Sequence, residues 1–511
     1  MKTAIAIGAL AAVASAVAVE PRGYGHGGYG PPKGNKTCQH KPLVDSKKLQ
    51  RSIKESALLK GAQQLQDFAY AYPERNRLMG SKGHNDTVDY LVKELEALDG
   101  YYTVEKQKFS SLVQVNGTAS LMIDGTTYVP GIMEYSPSGN ISAPLVVVNN
   151  LGCEATDYPA EVSGKIALIS RGSCEFGAKS VNAGLAGAIG AIIYNNIPGG
   201  LNGTLGVPPR PEGPYVPTVA LSQEEGTVLV SSITGGATAT ASMNVLTVIE
   251  TYTTFNVLAT TNCGAQNSTL VLGAHTDSVA AGPGINDDGS GTIGILEVAK
   301  HLAKYKVNNA VRFGFWSGEE EGLLGSTYYV EHLAPAELAN IRAYLNFDMI
   351  ASPNYIYAIY DGDGSAFNQT GPAGSAEIEH FFEDFFTANG ENFTATAFDG
   401  RSDYLAFIDN GIPAGGTFTG AEEIKTEEEA KMFGGEAGVA TDPNYHGAGD
   451  TVDNLNMEAF VLNTKGIAAA VATYATSFES LPPKSLVKRN QGLTWVKPRS
   501  RRGGKGIKRA Q

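Results

Sequence analysis

From Thr269 onward the chain alternates short apolar runs with stretches of helical period, and this pattern restricts the fold more than any other feature. LVL leads into Gly273, GTIGILEVAKHLAKY reads as an amphipathic helix, VRFGFW as a strand, GLLGSTYYVEHL as a helix and AYLNFD as a strand. Helices set between short apolar strands require crossovers that leave successive strands parallel. The expected fold is therefore α/β, a mostly parallel mixed sheet flanked by helices. An apolar helix from about Met457 to Phe478 closes this body. Upstream, helical spacing recurs over 46–72 and again from His84 to Leu98, where Val88, Leu91, Val92, Leu95 and Leu98 share one face.

The stretch 121–248 has another texture. It holds β-branched runs such as Leu145–Val148 and Ile166–Ile169, Gly-rich turns, one Ala/Gly helix read over KSVNAGLAGAIGAIIYNN, and no histidine. It reads as a separate β-rich insert, which divides the body into 46–120 and 249–482. Residues 1–18 read as a secretory signal: an early Lys, an Ala-rich apolar run shorter than the roughly 20 residues of a membrane span, and small-x-small sites at Ala14-Ser15-Ala16 and Ala16-Val17-Ala18. A Gly/Pro-rich arm follows over 19–45. The tail 483–511 is basic and carries dibasic pairs at which trimming is expected.

Eight N-x-[ST] sequons, at Asn35, Asn85, Asn116, Asn140, Asn202, Asn267, Asn368 and Asn392, agree with export. So do four cysteines, an even number in an oxidising compartment. Three pairings exist; Cys153–Cys174 with Cys38–Cys263 is preferred. The net charge of −13 excludes a general nucleic-acid binder. Ten Lys or Arg and no acid follow Glu479, leaving 29 basic against 52 acidic residues before it. No second apolar stretch is long enough to span a membrane, and a secreted monomer is expected.

Ligands of open α/β sheets bind at the carboxyl ends of the strands. LVLGAHTDSV places His275 and Asp277 there, GINDDGSG places Asp287 and Asp288 before a helix, and VRFGFWSGEEEG places Glu319, Glu320 and Glu321 after a strand. AYLNFDM ends on Asp348, and YHGAGD supplies Tyr445 and His446. Singly these are a surface pair, a helix cap and a solvated acidic face. Asp348 stands apart, since a carboxylate ending an apolar strand is costly unless paired. Together, two imidazoles and several carboxylates suit zinc. Two metals about 3.5–4 Å apart need a bridging carboxylate and a further, unligated one to take a proton from water.

In GAHTDSV, GINDDGSG, WSGEEEGLLGS, YLNFDMI, GRSDY and YHGAGDT the chain resembles the secreted and vacuolar zinc aminopeptidases with two co-catalytic zinc ions, of the fungal leucine aminopeptidase type, over roughly residues 50–480. The insert resembles the protease-associated domain that some members carry. The resemblance implies that His275, Asp287 and Asp348 hold one zinc and that Asp287, Glu320 and His446 hold the other, with Asp287 bridging. Glu319 would be the general base. Asp277 would fix the tautomer of His275, and Tyr445 would stabilise the developing oxyanion. The resemblance also implies a cis peptide at Asp287–Asp288.

On this reading the substrate is a peptide with a free N-terminus. Its ammonium is held by Glu319 and Asp348 with the backbone around Arg401, and its apolar first side chain by a pocket including Met349 and Phe418. Glu321 has no assigned role. His84, His301, His332 and His380 fall in or near helices and need no metal role. The rival readings are a di-zinc carboxypeptidase or acylamino-acid hydrolase, which would need a basic cluster for a substrate carboxylate, and a non-catalytic receptor-like relative, which would lose ligands.

Overall fold

The computed structural model describes residues 38, 40–172 and 174–483. The signal segment, most of the Gly/Pro-rich arm with Asn35, and the basic tail beyond Pro483 lie outside the described residues.

At the centre of the body, the strand Ala265–His275 pairs in parallel with Asn309–Trp316 on one side and with Ile341–Phe347 on the other. Ile341–Phe347 pairs in parallel with Ala414–Phe418. These strands read as unbroken apolar runs because both faces are covered. One face packs on Gly289–Leu302 and Met457–Thr476, the other on a cluster that includes Trp316, Tyr329, Tyr344 and Phe407. The helix Gly289–Leu302 is buried almost throughout and lies so close to the sheet that a Cβ on Gly291 would collide with the carbonyl of Phe347. The helical stretch read over 46–72 divides into Ser46–Ser52, capped by Asp45, and Glu55–Tyr70. The second upstream helix is Lys82–Glu96, capped by Ser81.

The insert is not set apart from this sheet. Two 22-residue strands, Tyr102–Ile123 and Thr240–Thr261, pair antiparallel along their length. The second also pairs with Asn309–Trp316 in the body and with Gly139–Val147 in the insert, so one sheet runs through both. Residues 121 and 248 both fall inside this ribbon. Beyond Gly139–Val147 the strands Ile166–Ser170, Gly190–Tyr194 and Thr218–Leu221 follow in parallel, with the helices Phe176–Leu185 and Gln223–Thr234 packed against them.

The single helix read over 179–196 is therefore corrected. The helix ends at Leu185, Gly187 turns the chain at φ +86°, and Gly190–Tyr194 is a buried strand. Alanine and glycine are compatible with a close-packed helix, but the Ile192–Ile193 pair fits a strand covered on both faces.

Both preferred disulfides are present, Cys38–Cys263 and Cys153–Cys174. The first ties the start of the described chain to the turn between two sheet strands. Of the seven sequon asparagines described, six are exposed; Asn85 is half-buried, and its amide donates to the Gly80 carbonyl. Among the described residues no helix is long and apolar enough to cross a membrane.

Candidate functional site

Three adjacent parallel strands end side by side, and each delivers an acid or an imidazole. His275 closes its strand, Glu319 and Glu320 lie just beyond Trp316, and Asp348 follows Phe347. Asp287 sits in the loop before Gly289–Leu302, and the Asp287–Asp288 peptide is cis. His446 enters from a distant loop with φ +53°.

Asp287 stands between the two imidazoles. Its Oδ1 lies 3.1 Å from His275 Nε2 and its Oδ2 lies 3.2 Å from His446 Nε2. His275 Nε2 is 3.6 Å from Asp348 Oδ1, and His446 Nε2 is 2.9 Å from Glu320 Oε2. Ligand atoms of a tetrahedral zinc at about 2.0–2.2 Å stand roughly 3.3–3.6 Å apart, so this is the spacing of donors around small cations. Glu319 Oε2 is 3.9 Å from His275 Nε2, beside the group rather than inside it.

The polar chemistry fits a cation. Glu320 Oε1 is buried without a hydrogen-bond partner. Burial pushes Glu319 well above the ordinary carboxylate range against the pull of His275, with Asp348 and Asp403 adding to the rise. Burial, and then Asp287, push Glu320 up to about 7. Burial opposes charge on His446, but Asp287 and Glu320 outweigh it and push the imidazole up to about 10. Divalent cations in the middle would relieve the carboxylate repulsion and keep both imidazoles neutral as ligands.

Around these groups lies a tight frame. Asp277, fully buried, has Oδ1 3.7 Å from His275 Nδ1, accepts from the amides of Gly318 and Glu319, and through Oδ2 accepts from that of Glu320. It thus holds the acidic loop as well as facing the imidazole. Asp288 has an oxygen near His275 and Asp348. Both its oxygens are already taken by amides: Oδ1 by Gly291 and Met349, Oδ2 by His275. It is a helix cap that also pins two strand ends. Asp450 accepts from the amides of Asn286 and Asp287. Arg77, wholly buried, donates to the carbonyls of Thr276, Pro283 and Gly284, tying together the two loops that carry His275 and Asp287. His84 Nε2 lies 2.8 Å from Thr276 Oγ1, and burial pushes its pKa down to about 4.

A cleft opens over the cluster. Its walls include Asp287, Glu319, Glu320, Asp348, Tyr445 and His446, with Met349, Tyr360, Tyr404 and Phe418 as the apolar side. Met349 and Phe418, the two apolar residues named from sequence, are among its lining residues. Arg401 is at the rim, and its side chain is engaged: it donates to Glu422, to Glu423 at 3.4 Å and to the Tyr445 hydroxyl at 3.2 Å. Tyr445 also stacks on His446, ring centres 3.8 Å apart. Ser402 donates to Asp348 Oδ2 at 2.6 Å.

Residues 256–471 match Peptidase family M28, and residues 141–229 match the PA domain. The chain is 55 % identical over 475 residues to the probable leucine aminopeptidase 2 of Aspergillus fumigatus, covering 91 % of this chain and 93 % of that one. It is 55 % identical over 445 residues to leucine aminopeptidase 2 of Arthroderma otae, covering 87 % and 89 %. Among solved structures, the aminopeptidase from Aneurinibacillus sp. strain AM-1 is similar with a TM-score of 0.69 at 27 % identity, over 87 % of this chain and 98 % of that one. The chain belongs to peptidase family M28 and carries an inserted PA domain.

Arg77, His84, Asp288 and Asp450 were not assigned from sequence. Asp288 alone had a signal, as a cap-type residue immediately before a helix. The others reach the site through contacts more than 160 residues away along the chain, or hold backbone only. Glu321, left without a role, accepts a hydrogen bond from Tyr135 of the insert.

Proposed function

We propose that the chain is a secreted leucine aminopeptidase that removes apolar N-terminal residues from peptides, with two zinc ions in the cleft. The observation that carries this reading is the placement of Asp287 with one oxygen toward His275 and the other toward His446. A carboxylate so shared is what a pair of metals requires. In this assignment His275, Asp287 and Asp348 hold one ion and Asp287, Glu320 and His446 the other. Asp277 orients His275.

Zinc, when bound, would polarise the scissile carbonyl and lower the pKa of a water. Glu319 stands beside the cluster with its carboxylate free to take that water's proton and pass it to the leaving amine. The Tyr445 hydroxyl, held by Arg401 and by stacking on His446, donates to the carbonyl oxygen as it gains charge. Asp348 and Glu319 offer the negative field for the substrate ammonium, near the backbone of Arg401. Met349, Tyr360, Tyr404 and Phe418 give the first side chain an apolar wall, which favours leucine.

We assign 46–120 and 249–482 to the peptidase body and 121–248 to the insert. The two disulfides and the exposed sequons support a secreted protein, and we propose that it acts as a monomer.

The test is hydrolysis of a leucyl anilide and of its N-acetyl analogue, with chelator and zinc add-back. Cleavage of the free-amine substrate alone, abolished by chelator and restored by zinc, is expected. Cleavage of the acetylated analogue would favour the acylamino-acid hydrolase reading instead.

A further inference from the structure

A second group of acids lies apart from the zinc ligands. The strand Ala358–Tyr360 leads into Asp361, the first residue of a loop that runs DGDGSAF before the helix Ser375–Ala388, which carries Glu379. One oxygen from each of Asp361, Asp363 and Glu379 lies within 4.8 Å of the others. Asp361 is 1 % exposed and Glu379 is 2 % exposed, so this is not a solvated acidic face.

The loop is arranged to gather these oxygens. Asp361 Oδ2 accepts from the amides of Ala366 and Phe367 at 3.0 and 2.8 Å. Glu379 Oε2 accepts from those of Gly362 and Asp363, each at 3.0 Å. Asp363 Oδ1 accepts from the Ser365 amide at 2.7 Å. These bonds fix the carboxylates in place. Asp361 Oδ1 is buried with no hydrogen-bond partner, and it belongs to the carboxyl group that reaches the cluster. A buried acceptor left bare is costly, and more so if charged. Burial first, and the facing Asp363 as well, push the pKa of Asp361 up. A cation here would satisfy that oxygen and offset the repulsion between Asp361 and Asp363.

We propose that Asp361, Asp363 and Glu379 form a calcium-binding site distinct from the catalytic cluster. The donors decide the metal. All three are carboxylates, with no sulfur and no buried imidazole; His380 Nε2 lies 3.9 Å from Asp363 on the exposed side. Hard oxygen donors gathered on a loop suit calcium, which takes six to eight oxygens at about 2.3–2.6 Å and completes its shell with carbonyls and water. Acids at alternate positions, Asp361 and Asp363, repeat the spacing by which calcium loops present successive side chains to one ion. Bound calcium would clamp the loop after Asp361 to the helix of Glu379. Tyr360, which lines the substrate cleft, immediately precedes this clamp.

The test uses the full-length, zinc-saturated protein, with calcium alone as the probe. Equilibrium dialysis should find one saturable calcium per chain, with a Kd in the range of extracellular sites, roughly 10⁻⁴–10⁻³ M. Calcium should raise the thermal midpoint. Asp361→Asn, which keeps an acceptor for the two amides, and the less buried Asp363→Asn should each weaken binding at least tenfold and remove the thermal shift. No saturable binding by about 10⁻² M calcium, ten times the weak end of that range, would overturn the site and leave a carboxyl proton in its place. Undiminished binding in both variants, or stoichiometric displacement of calcium by zinc, would also overturn it. None of these readouts depends on peptidase activity.

Discussion

The Tyr135 hydroxyl donates a 2.9 Å hydrogen bond to Glu321 Oε2, so a side chain of the insert grips the residue next to Glu320. Tyr135 is buried, adopts φ +60°, and its own amide donates to Gln114 Oε1 at 2.7 Å. Burial pushes Glu321 up to about 7, while the Tyr135 bond favours its charged form. The run of three glutamates thus divides its work. Glu319 lines the cleft, Glu320 faces His446, and Glu321 is the handle by which the insert holds the loop.

Tyr135→Phe should therefore reduce turnover from outside the cleft. Loss of one hydrogen bond to a carboxylate, about 1.5–3 kcal/mol, is expected to loosen the loop and lower kcat/KM by roughly tenfold, with zinc content unchanged. Steady-state kinetics on a leucyl anilide, with metal analysis of the same sample, checks this. Unchanged kinetics would reduce the contact to packing.

Glu319→Gln should keep both metals and lose turnover by roughly 10²–10⁴-fold, the usual contribution of a general base. The amide preserves the shape but cannot take the proton. Near-normal kcat in a zinc-loaded variant would remove Glu319 from the proton-transfer role.

His446→Ala removes the imidazole 2.9 Å from Glu320 and 3.2 Å from Asp287. Metal content should fall from two ions toward one, since Asp287 and Glu320 alone are a poor zinc site. Retention of two tightly held ions would show that His446 is no ligand.

His84 gives a pH signature. Its folded pKa of about 4 lies below its ordinary value of 6.5, so the folded protein resists protonation there. That stability is complete above 6.5 and is lost as pH falls from 6.5 to 4, by roughly 3 kcal/mol in all. His84→Gln should be less stable at neutral pH, because its bond to Thr276 changes, yet its thermal midpoint should fall less steeply over this interval. Parallel acid limbs for wild type and variant would sink the assignment.

Part of the acid and imidazole cluster was legible because His275, Glu320 and Asp348 stand at or just past the ends of apolar runs, and strand ends of a parallel sheet converge whatever the loops do. Asp287 and His446 stand in loops and were read from GINDDGSG and YHGAGD; the fold sets Asp287 3.1 Å from His275 and 3.2 Å from His446. What surrounds them was not legible. Arg77 is one arginine among many until the fold sets its guanidinium against three carbonyls about 200 residues away. The insert looked separable because its composition differs, yet hydrogen-bond ladders ignore composition, and the ribbon crosses the apparent boundary. Asp361 and Asp363 read as turn residues, and only the approach of Glu379 from the following helix makes them a group.

The paired strands Tyr102–Ile123 and Thr240–Thr261 have a mechanical consequence. A domain joined by two loose linkers would swing; one grown from the same sheet can only bend the beam that carries it. That beam has a bulge between Gln114 and Asn116, where its register slips. Gln114, at the bulge, is also the residue that receives the Tyr135 amide. The overhang is braced back at that irregularity by Tyr135, whose hydroxyl reaches Glu321, so the bulge and the glutamate loop share one anchoring side chain.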